Sequence, residues 1–482
     1  MTMPMRGRAV FLATVLLATT AVAARAQAVL TAEQVVELRA VRSVAVSPDG
    51  RRVAYTLLQP RSDTAAPGPA YTELWVVEAG GGEPTPVVVA PASAGSPRWS
   101  PDGEWLGFIL RPEGRERPQV HAVPAEGGPM RRLTDSATGV LAFEWSPQGD
   151  AIAYTAWNAT PAAVTARRAT GNDVVVAGEG RPKARLWLQE LDGSGAEALT
   201  PPHLHVAAFA WSPAGNQLAV QASAASDADS DLMRRDLWLQ PADGRAPREL
   251  TPTPGKLGAM AWSPDGRFLA YLGATAANDP LAQSVLVVPA TGGEPRNLTP
   301  AFEGSATDVA WLDNEHVAFV AAEGTRTTLN RVRAAGGPIE RIAGGGAEVF
   351  GAVSFDARAR TFAVAASTAR HPAAVFAGDV GSGRLRRLVD PNPWLDTVAL
   401  GRQETIAWQS SDGLRIEGVV VYPVGYAGST RYPLAILPHG GPEGISQDGW
   451  TTSALYPAQV LAGRGYVVLM PNYRGSGGRG VA

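Results

Sequence analysis

A turn motif that recurs at a near-constant spacing constrains this chain more than any other feature of its sequence. The pattern is Trp-Ser-Pro-Asp-Gly or a close variant, followed by a segment in which apolar residues alternate with others. Five clear copies and two degraded ones are marked by Ser47, Ser100, Ser146, Ser212, Ser263, Leu312 and Asp356. Successive copies lie 53, 46, 66, 51, 49 and 44 residues apart. A period of about 45–50 residues is typical of four-stranded propeller blades, so the sequence predicts an all-β, seven-bladed β-propeller over residues 43–391.

The motif is better explained as turn chemistry than as a catalytic serine. Proline presets the first turn torsion, aspartate accepts hydrogen bonds within the turn, and glycine supplies the positive φ where the chain reverses. The long interval of 66 residues predicts an insertion around Trp157–Arg185. This insertion either reaches a ligand or partner domain, or it is an inert loop.

The N-terminus has the layout of a secretory signal peptide. Two arginines precede the apolar run Ala9–Ala24, and small residues at Ala24 and Ala26 occupy both positions that determine cleavage. An uncleaved membrane anchor is less favoured, because the run is shorter than the roughly 20 residues that span a bilayer. We therefore expect residues 1–26 to be removed near Ala26, giving a periplasmic or secreted protein with no membrane attachment.

A short helix is predicted within residues 27–42, ahead of the first blade. The segment Thr31–Gln34 has the form of a capping box. Apolar residues follow it at helical spacing: Val35, Val36, Leu38 and Val41. We expect this helix to pack against the propeller.

Composition excludes several classes of site. The chain has no cysteine, which excludes a disulfide framework, a Cys-type zinc site, an iron–sulfur cluster and a cysteine nucleophile. The formal charge is −3 with no basic face, so no nucleic-acid partner is expected. Lys183 and Lys256 are the only lysines, and we interpret their rarity as codon bias rather than chemistry.

Two clusters could be mistaken for metal sites. Asp227, Asp229 and Asp231 resemble the start of a calcium loop, but its sixth and twelfth positions lack the required Gly and Glu, so we expect a solvated acidic loop. His203 and His205 lie two residues apart at the head of a strand, with no third ligand in view. No metal and no cofactor are predicted.

The character of the sequence changes at about residue 392. Three apolar runs predict strands and one segment predicts a helix that ends at Gly463: Ile416–Tyr422, Leu434–Leu437, Tyr466–Met470 and Tyr456–Ala462. Apolar strands that alternate with helices indicate a parallel sheet covered on both faces. Residues 392–482 are therefore expected to begin an α/β domain.

Two motifs in this region resemble those of a known family. They read His439-Gly440-Gly441-Pro442 and Pro471-Asn472-Tyr473-Arg474-Gly475-Ser476. Behind a signal peptide and a Ser-Pro-Asp-Gly propeller, they resemble the prolyl oligopeptidase family of serine peptidases, in the style of its acylaminoacyl-peptidase and dipeptidyl-peptidase-like members. The resemblance runs from about Leu30 to Ala482. It implies a propeller that caps an α/β-hydrolase domain, admits short peptides and cleaves them with a Ser-His-Asp triad.

The resemblance also implies one part of an active site, the oxyanion hole. In such a domain the loop after the third strand supplies a backbone N–H that stabilises the oxyanion. The matching loop is His439–Pro442, and we expect the donor to be Gly441, with Gly440 as the alternative. A plain strand-to-loop turn is the other interpretation.

The triad itself is not found in the 482 residues. A nucleophile elbow has the sequence G-x-S-x-G. The nearest match surrounds Ser446, lacks the second glycine and precedes the strand that should lead to the elbow. His439 belongs to the oxyanion motif and is not expected to be the base. Gly475–Gly480 fits G-x-G-x-x-G, but no helix or ribose-binding acid follows it, so dinucleotide binding is not predicted.

Two functions remain open at this point. The first is an exported serine peptidase acting on short peptides, of which this chain is the N-terminal portion and is inactive by itself. The alternative is a non-catalytic exported propeller that binds a protein partner. The alternative leaves the segment Leu414–Gly480 unexplained.

Overall fold

The computed structural model describes residues 28–114, 116–172, 174, 181–278, 281, 283–441 and 443–480. The predicted signal peptide lies outside the described residues, as does Pro442 of the predicted oxyanion loop. Part of the predicted insertion in the third repeat also lies outside them.

One helix precedes the first sheet, and it is shorter than predicted. α1 spans Ala32–Val36, and its capping box is confirmed because Thr31 and Gln34 each accept the other's backbone N–H. The helix occupies only part of the segment 27–42, since Val41 already belongs to the first strand. The buried side of α1 lies in a cluster with Leu30, Val35, Leu395, Val398 and Val460. The helix therefore packs on the C-terminal region, and the expectation that it packs on the propeller is wrong.

Seven antiparallel sheets of four consecutive strands follow through the described part of the chain. The first is β1 (Ala40–Val46), β2 (Arg52–Gln59), β3 (Tyr71–Glu78) and β4 (Thr85–Val88). The second is β5 (Ser93–Trp99), β6 (Trp105–Arg111), β7 (Gln119–Pro124) and β8 (Arg131–Arg132). The third is β9 (Ala142–Trp145), β10 (Ala151–Trp157), β11 (Ala184–Glu190) and β12 (Ala196–Ala198).

The remaining four sheets continue in the same order. The fourth is β13 (His205–Trp211), β14 (Gln217–Ser223), β15 (Asp236–Pro241) and β16 (Arg248–Thr251). The fifth is β17 (Leu257–Trp262), β18 (Phe268–Gly273), β19 (Ser284–Pro289) and β20 (Arg296–Asn297). The sixth is β21 (Ser305–Trp311), β22 (His316–Glu323), β23 (Arg326–Arg333) and β24 (Glu340–Gly344). The seventh is β25 (Val349–Phe355), β26 (Thr361–Thr368), β27 (His371–Asp379) and β28 (Leu385–Val389).

Apolar clusters of described residues join these sheets face to face. Six clusters each link one sheet to the next along the chain. A seventh links the first sheet to the last, with Val44 and Tyr55 buried against Val375. The sheets resemble the blades of a propeller, and the predicted β character of this region is confirmed. The number of blades stays a prediction.

The repeated motif forms the predicted turn. In the first copy the Ser47 hydroxyl donates to Asp49 at 2.6 Å, and the Gly50 N–H donates to the Ser47 carbonyl at 2.8 Å. Gly50 has a φ of +75°, as the turn requires. In the fourth copy, where alanine replaces the aspartate, Ser212 donates to Asn216 instead. The serine hydroxyl is thus committed inside the turn.

In four of the sheets, the tryptophan of the motif makes a hydrogen bond to the preceding sheet. The Nε1 groups of Trp99, Trp145, Trp262 and Trp311 each donate to a carbonyl on the first strand of the preceding sheet, at 3.0–3.1 Å. Trp211 holds the same place in the fourth sheet, but its Nε1 is buried and has no hydrogen-bond partner among the described residues. These tryptophans therefore recur once per sheet from the second sheet to the sixth, because they lie where one sheet packs on the next.

Two further helices lie in loops of the third and fourth sheets. α2 (Ala162–Ala169) is exposed and lies between β10 and β11, where the long repeat interval predicts an insertion. α3 (Ala228–Met233) begins after Asp227, whose carboxylate accepts the N–H of Ser230 at 3.0 Å. The expectation of a solvated acidic loop at Asp227–Asp231 is wrong, because these residues cap and form a helix.

The C-terminal region forms a mixed sheet in the order β29-β30-β32-β31. Its strands are β29 (Gln403–Gln409), β30 (Arg415–Val421), β31 (Leu434–Ile436) and β32 (Val467–Asn472). Only β31 and β32 run parallel, so the expectation of a parallel sheet is wrong for two of its three strand pairings, which are antiparallel. β31 lies at one edge, with Leu434 and Ile436 exposed. The assignment to an α/β-hydrolase domain stays a prediction.

A helix covers one face of this sheet. α4 (Ala458–Gly463) buries Ala458 and Ala462 against Val419 and Met470. The helix ends at Gly463, but Gly463 is still helical and does not cap it. The chain reverses at Gly465, which has a φ of +88°.

We expect the cross-sheet indole bond to contribute measurably to stability. Trp262→Phe leaves the buried Ala210 carbonyl without its donor, which should lower the free energy of unfolding by about 1–3 kcal/mol relative to Trp211→Phe. The matched change at Trp211 removes a similar ring but no hydrogen bond. Urea unfolding of both variants provides the measurement, and equal losses would contradict the assignment.

Candidate functional site

The two family-like motifs meet at one edge of the C-terminal sheet. β31 leads into His439 and β32 leads into Ser476, and because these strands are parallel their carboxyl ends lie side by side. His439 Nε2 and Ser476 Oγ are 2.8 Å apart. Motifs separated by more than thirty residues in the sequence therefore form one site.

Tyr473 locks the two loops together. Its hydroxyl donates to the His439 carbonyl at 2.7 Å, and its ring stacks on the imidazole with a centroid separation of 4.5 Å. The Ser476 hydroxyl in turn donates to the Tyr473 carbonyl at 2.7 Å. Because the Ser476 hydroxyl already donates its proton to a carbonyl, it can only accept a hydrogen bond from His439. We therefore interpret the His439–Ser476 contact as a link between the two loops.

Asn472 ties the second motif to the segment after the first. Its side-chain oxygen accepts the N–H of Ser446 at 2.7 Å, and its amide donates to the Ser446 carbonyl at 2.9 Å. Ser446, the nearest sequence match to a nucleophile elbow, is thus held by its backbone in an irregular loop.

Gly441 has the backbone conformation that a side chain would prevent. Its φ is +142°, and a Cβ at this position would clash with the backbone nitrogens of Glu443 and Gly444. At Gly440 an added Cβ would meet no atom of the described residues within 4 Å. The assignment of Gly441 as oxyanion donor, with Gly440 as the alternative, stays a prediction.

Both loops dock on the seven sheets through ion pairs and backbone hydrogen bonds. Lys256 lies 2.9 Å from Glu443, and this hydrogen bond holds the pKa of the Glu443 carboxyl below its ordinary value. Arg326 lies 2.7 Å from the buried carboxylate of Asp448, whose N–H donates to the Thr325 carbonyl at 2.9 Å.

The glycine-rich segment after Ser476 makes a second docking contact. The Gly324 N–H donates to the Gly478 carbonyl at 2.7 Å, and the Gly478 N–H donates to Ser305 Oγ at 2.8 Å. Arg479 pairs with the buried carboxylate of Glu417. The glycines of Gly475–Gly480, which match a dinucleotide-binding motif in sequence, are therefore explained by the close approach of this segment to the backbone at Gly324.

A cavity of about 240 Å³ opens beside His439, between the C-terminal region and the seventh sheet. Val349 and Ser367 line it from the seventh sheet, and Ser446 and Trp450 line it from the C-terminal region. The site thus has walls from both parts of the molecule.

The histidine pair noted in the sequence is divided by the structure. His203 lies in an exposed loop, while His205 begins β13 and is buried. His205 Nδ1 accepts the N–H of Ala184 at 3.0 Å, its Nε2 lies 3.3 Å from Asp231, and burial lowers its pKa. The expectation that both histidines head a strand is wrong. No group of three or more acidic or histidine side chains in the described ranges could hold a metal ion.

Sequence reasoning missed the residues that dock the two regions. Lys256, Arg326, Glu443 and Asp448 lie outside both motifs, and only a three-dimensional structure pairs them. The sequence held one hint of this role, since Lys256 is one of two lysines in an arginine-rich chain.

Within the described ranges, no helix has the length and apolar character needed to cross a membrane.

Comparisons with known proteins point to peptidases. The uncharacterized peptidase YuxL of Bacillus subtilis is 35% identical over 127 residues, covering 26% of this chain and 19% of that protein. Dipeptidyl-peptidase 5 of Porphyromonas endodontalis is 22% identical over 513 residues, covering 94% of this chain and 68% of that protein. No protein-family model matches the chain.

Solved structures share the fold along most of the chain. An acylaminoacyl peptidase from Pyrococcus horikoshii superposes with a TM-score of 0.73 at 17% identity, covering 93% of this chain and 67% of that one. The match thus spans about a fifth of the length of the Bacillus protein. It spans about two thirds of the length of the Porphyromonas and Pyrococcus proteins.

The ion pair between the partly exposed Arg326 and the buried Asp448 should be important for docking. Arg326→Met leaves a mostly buried carboxylate with Gln403 as its remaining side-chain donor, at 2.9 Å, and we expect local stability to fall by about 1–3 kcal/mol. Proteolytic cleavage within residues 443–452 should accelerate about tenfold, since cleavage follows the open population. The control is Arg333→Met, which breaks an exposed pair with Glu315. Similar cleavage rates in both variants would contradict the docking role.

Proposed function

The relatives support the prolyl oligopeptidase family for this chain, and on that basis we propose that it is part of a serine peptidase that hydrolyses short peptides by acyl transfer. One observation carries the proposal. The His439-Gly440-Gly441 loop and the Asn472–Ser476 motif converge beside parallel strand ends, where α/β hydrolases assemble their oxyanion holes. Peptidases among the relatives agree with this chemistry.

We propose that Gly441 supplies the oxyanion N–H, with Gly440 as the alternative. The positive φ of Gly441 supports this assignment, because it turns the backbone of the loop in a way that other residues rarely adopt. The stacked His439 and Tyr473 rings hold the start of the loop, so the amide would be pre-organised before substrate arrives.

The architecture we propose has seven propeller blades above the beginning of an α/β-hydrolase domain. The apolar cluster between the first and seventh sheets supports a closed ring of seven, and the parallel β31–β32 pair covered by α4 supports the hydrolase assignment. In such an arrangement the ring limits access to peptides short enough to enter. The predicted signal peptide supports export to the periplasm or the medium.

We propose further that the catalytic serine, histidine and aspartate lie outside the 482 residues. The described serines at the site support this, because the Ser476 hydroxyl is bound to a carbonyl and Ser446 lies in an irregular loop. The 482-residue chain should then be inactive alone.

A fluorophosphonate probe tests the position of the nucleophile. The 482-residue chain should remain unlabelled, whereas a chain extended through a G-x-S-x-G elbow should be labelled at that serine. Sequencing the gene beyond codon 482 tests whether such an extension exists. Labelling of the 482-residue chain would contradict the proposal, and a stop codon directly after Ala482 would favour a non-catalytic binding propeller.

Substitution of the two glycines tests the oxyanion assignment in the extended chain. Gly441→Ala should lower kcat by about 100- to 1,000-fold, the loss typical of a missing oxyanion donor, because the added Cβ clashes with the loop. Gly440→Ala adds a methyl group in open space and should change kcat little. A larger loss at Gly440 would transfer the role to that residue.

A further inference from the structure

Lys256 reaches the predicted oxyanion loop from the fifth sheet. It directly precedes β17, and its carbonyl accepts the N–H of Ala274 at 2.8 Å, so its backbone is part of the sheet framework. Its ammonium lies 2.9 Å from Glu443, and the two side chains are only 21% and 30% exposed. Partial burial shields this pair from water and salt more than an ordinary surface pair.

Glu443 in turn determines the space beside Gly441. The backbone nitrogens of Glu443 and Gly444 occupy the volume into which a Gly441 side chain would point. On the other side of the loop, the Gly477 N–H donates to the Gly444 carbonyl at 3.2 Å. The loop is thus held from two directions, by its neighbouring loop and by the fifth sheet.

We infer that Lys256 is a positioning residue for the oxyanion loop: by holding Glu443, it fixes the backbone of Gly441 when the C-terminal region is docked on the seven sheets. The role of Gly441 in this inference rests on the proposed function. The consequence is that the seven-sheet region contributes to the geometry of the site as well as to access, because a lysine on a sheet fixes a loop of the other region.

Hydrogen–deuterium exchange of the 482-residue chain tests this inference without turnover. Lys256→Met removes the charge and keeps most of the stem, and it should accelerate exchange of the Ser446 and Gly477 amides, which are hydrogen-bonded at this loop, about fivefold. Lys256→Arg should restore exchange to near the wild-type rate, since it keeps a cation within reach of Glu443. The double variant Lys256→Glu with Glu443→Lys should also restore protection, because it re-forms the pair with reversed charges.

Arg333→Met is the matched control, because it breaks an ion pair on the sixth sheet away from the loop. It should leave exchange of the Ser446 and Gly477 amides unchanged. The inference is overturned if Lys256→Met exchanges like the wild type, or if neither Lys256→Arg nor the charge reversal restores protection. Exchange is measured in a chain that we expect to be inactive, so failure of the peptidase proposal in the probe experiment would be a separate result.

Discussion

The stacking of apolar sheet faces on one another is the constraint on which the rest of this structure depends. A four-stranded sheet with two apolar faces cannot be stable alone in water, and each sheet here buries its faces against its neighbours. The indole N–H groups of Trp99, Trp145, Trp262 and Trp311 add direction to this packing, because each of these four donates to a carbonyl of the preceding sheet. The sheets are thereby fixed in relative position, and they form a rigid base for the loops that dock on them.

The C-terminal region uses that base to shape its own loops. Its short edge strand and the one α-helix among its described residues leave the motif loops without a large core of their own. The loops gain order from two sources, the network of His439, Tyr473 and Ser476 and the ion pairs to the fifth and sixth sheets. The N-terminal helix adds a third tie, because Val35 packs with Val460 of α4.

Much of the fold could be predicted from the sequence because the signal was local and repeated. The Ser47 turn and the Thr31 capping box each need only a few neighbouring residues, and the structure confirms both. The extent of α1 could not be predicted, since Val41 continues the apolar spacing but pairs with Leu57 in the first sheet. The helix that begins after Asp227 could not be predicted either, because an acidic loop and a helix N-cap followed by acidic residues have the same sequence pattern.

The site was predictable only where its motifs are contiguous. Gly441 could be named from its motif, whereas Lys256 and Glu443 lie 187 positions apart and meet only after the sheets stack. Long-range ion pairs leave no periodic trace in a sequence, so no pattern predicts them. The mixed sheet was missed because an apolar strand has the same pattern in either direction.

The most direct test of the account is a crystal structure of the chain extended through the proposed nucleophile elbow, with a peptide boronate bound to the proposed catalytic serine. The account predicts a boronate oxygen within about 2.7–3.1 Å of the Gly441 backbone nitrogen, with Glu443 still paired to Lys256. A boronate oxygen turned away from the His439–Gly444 loop, or bound there while Lys256 and Glu443 are apart, would contradict it.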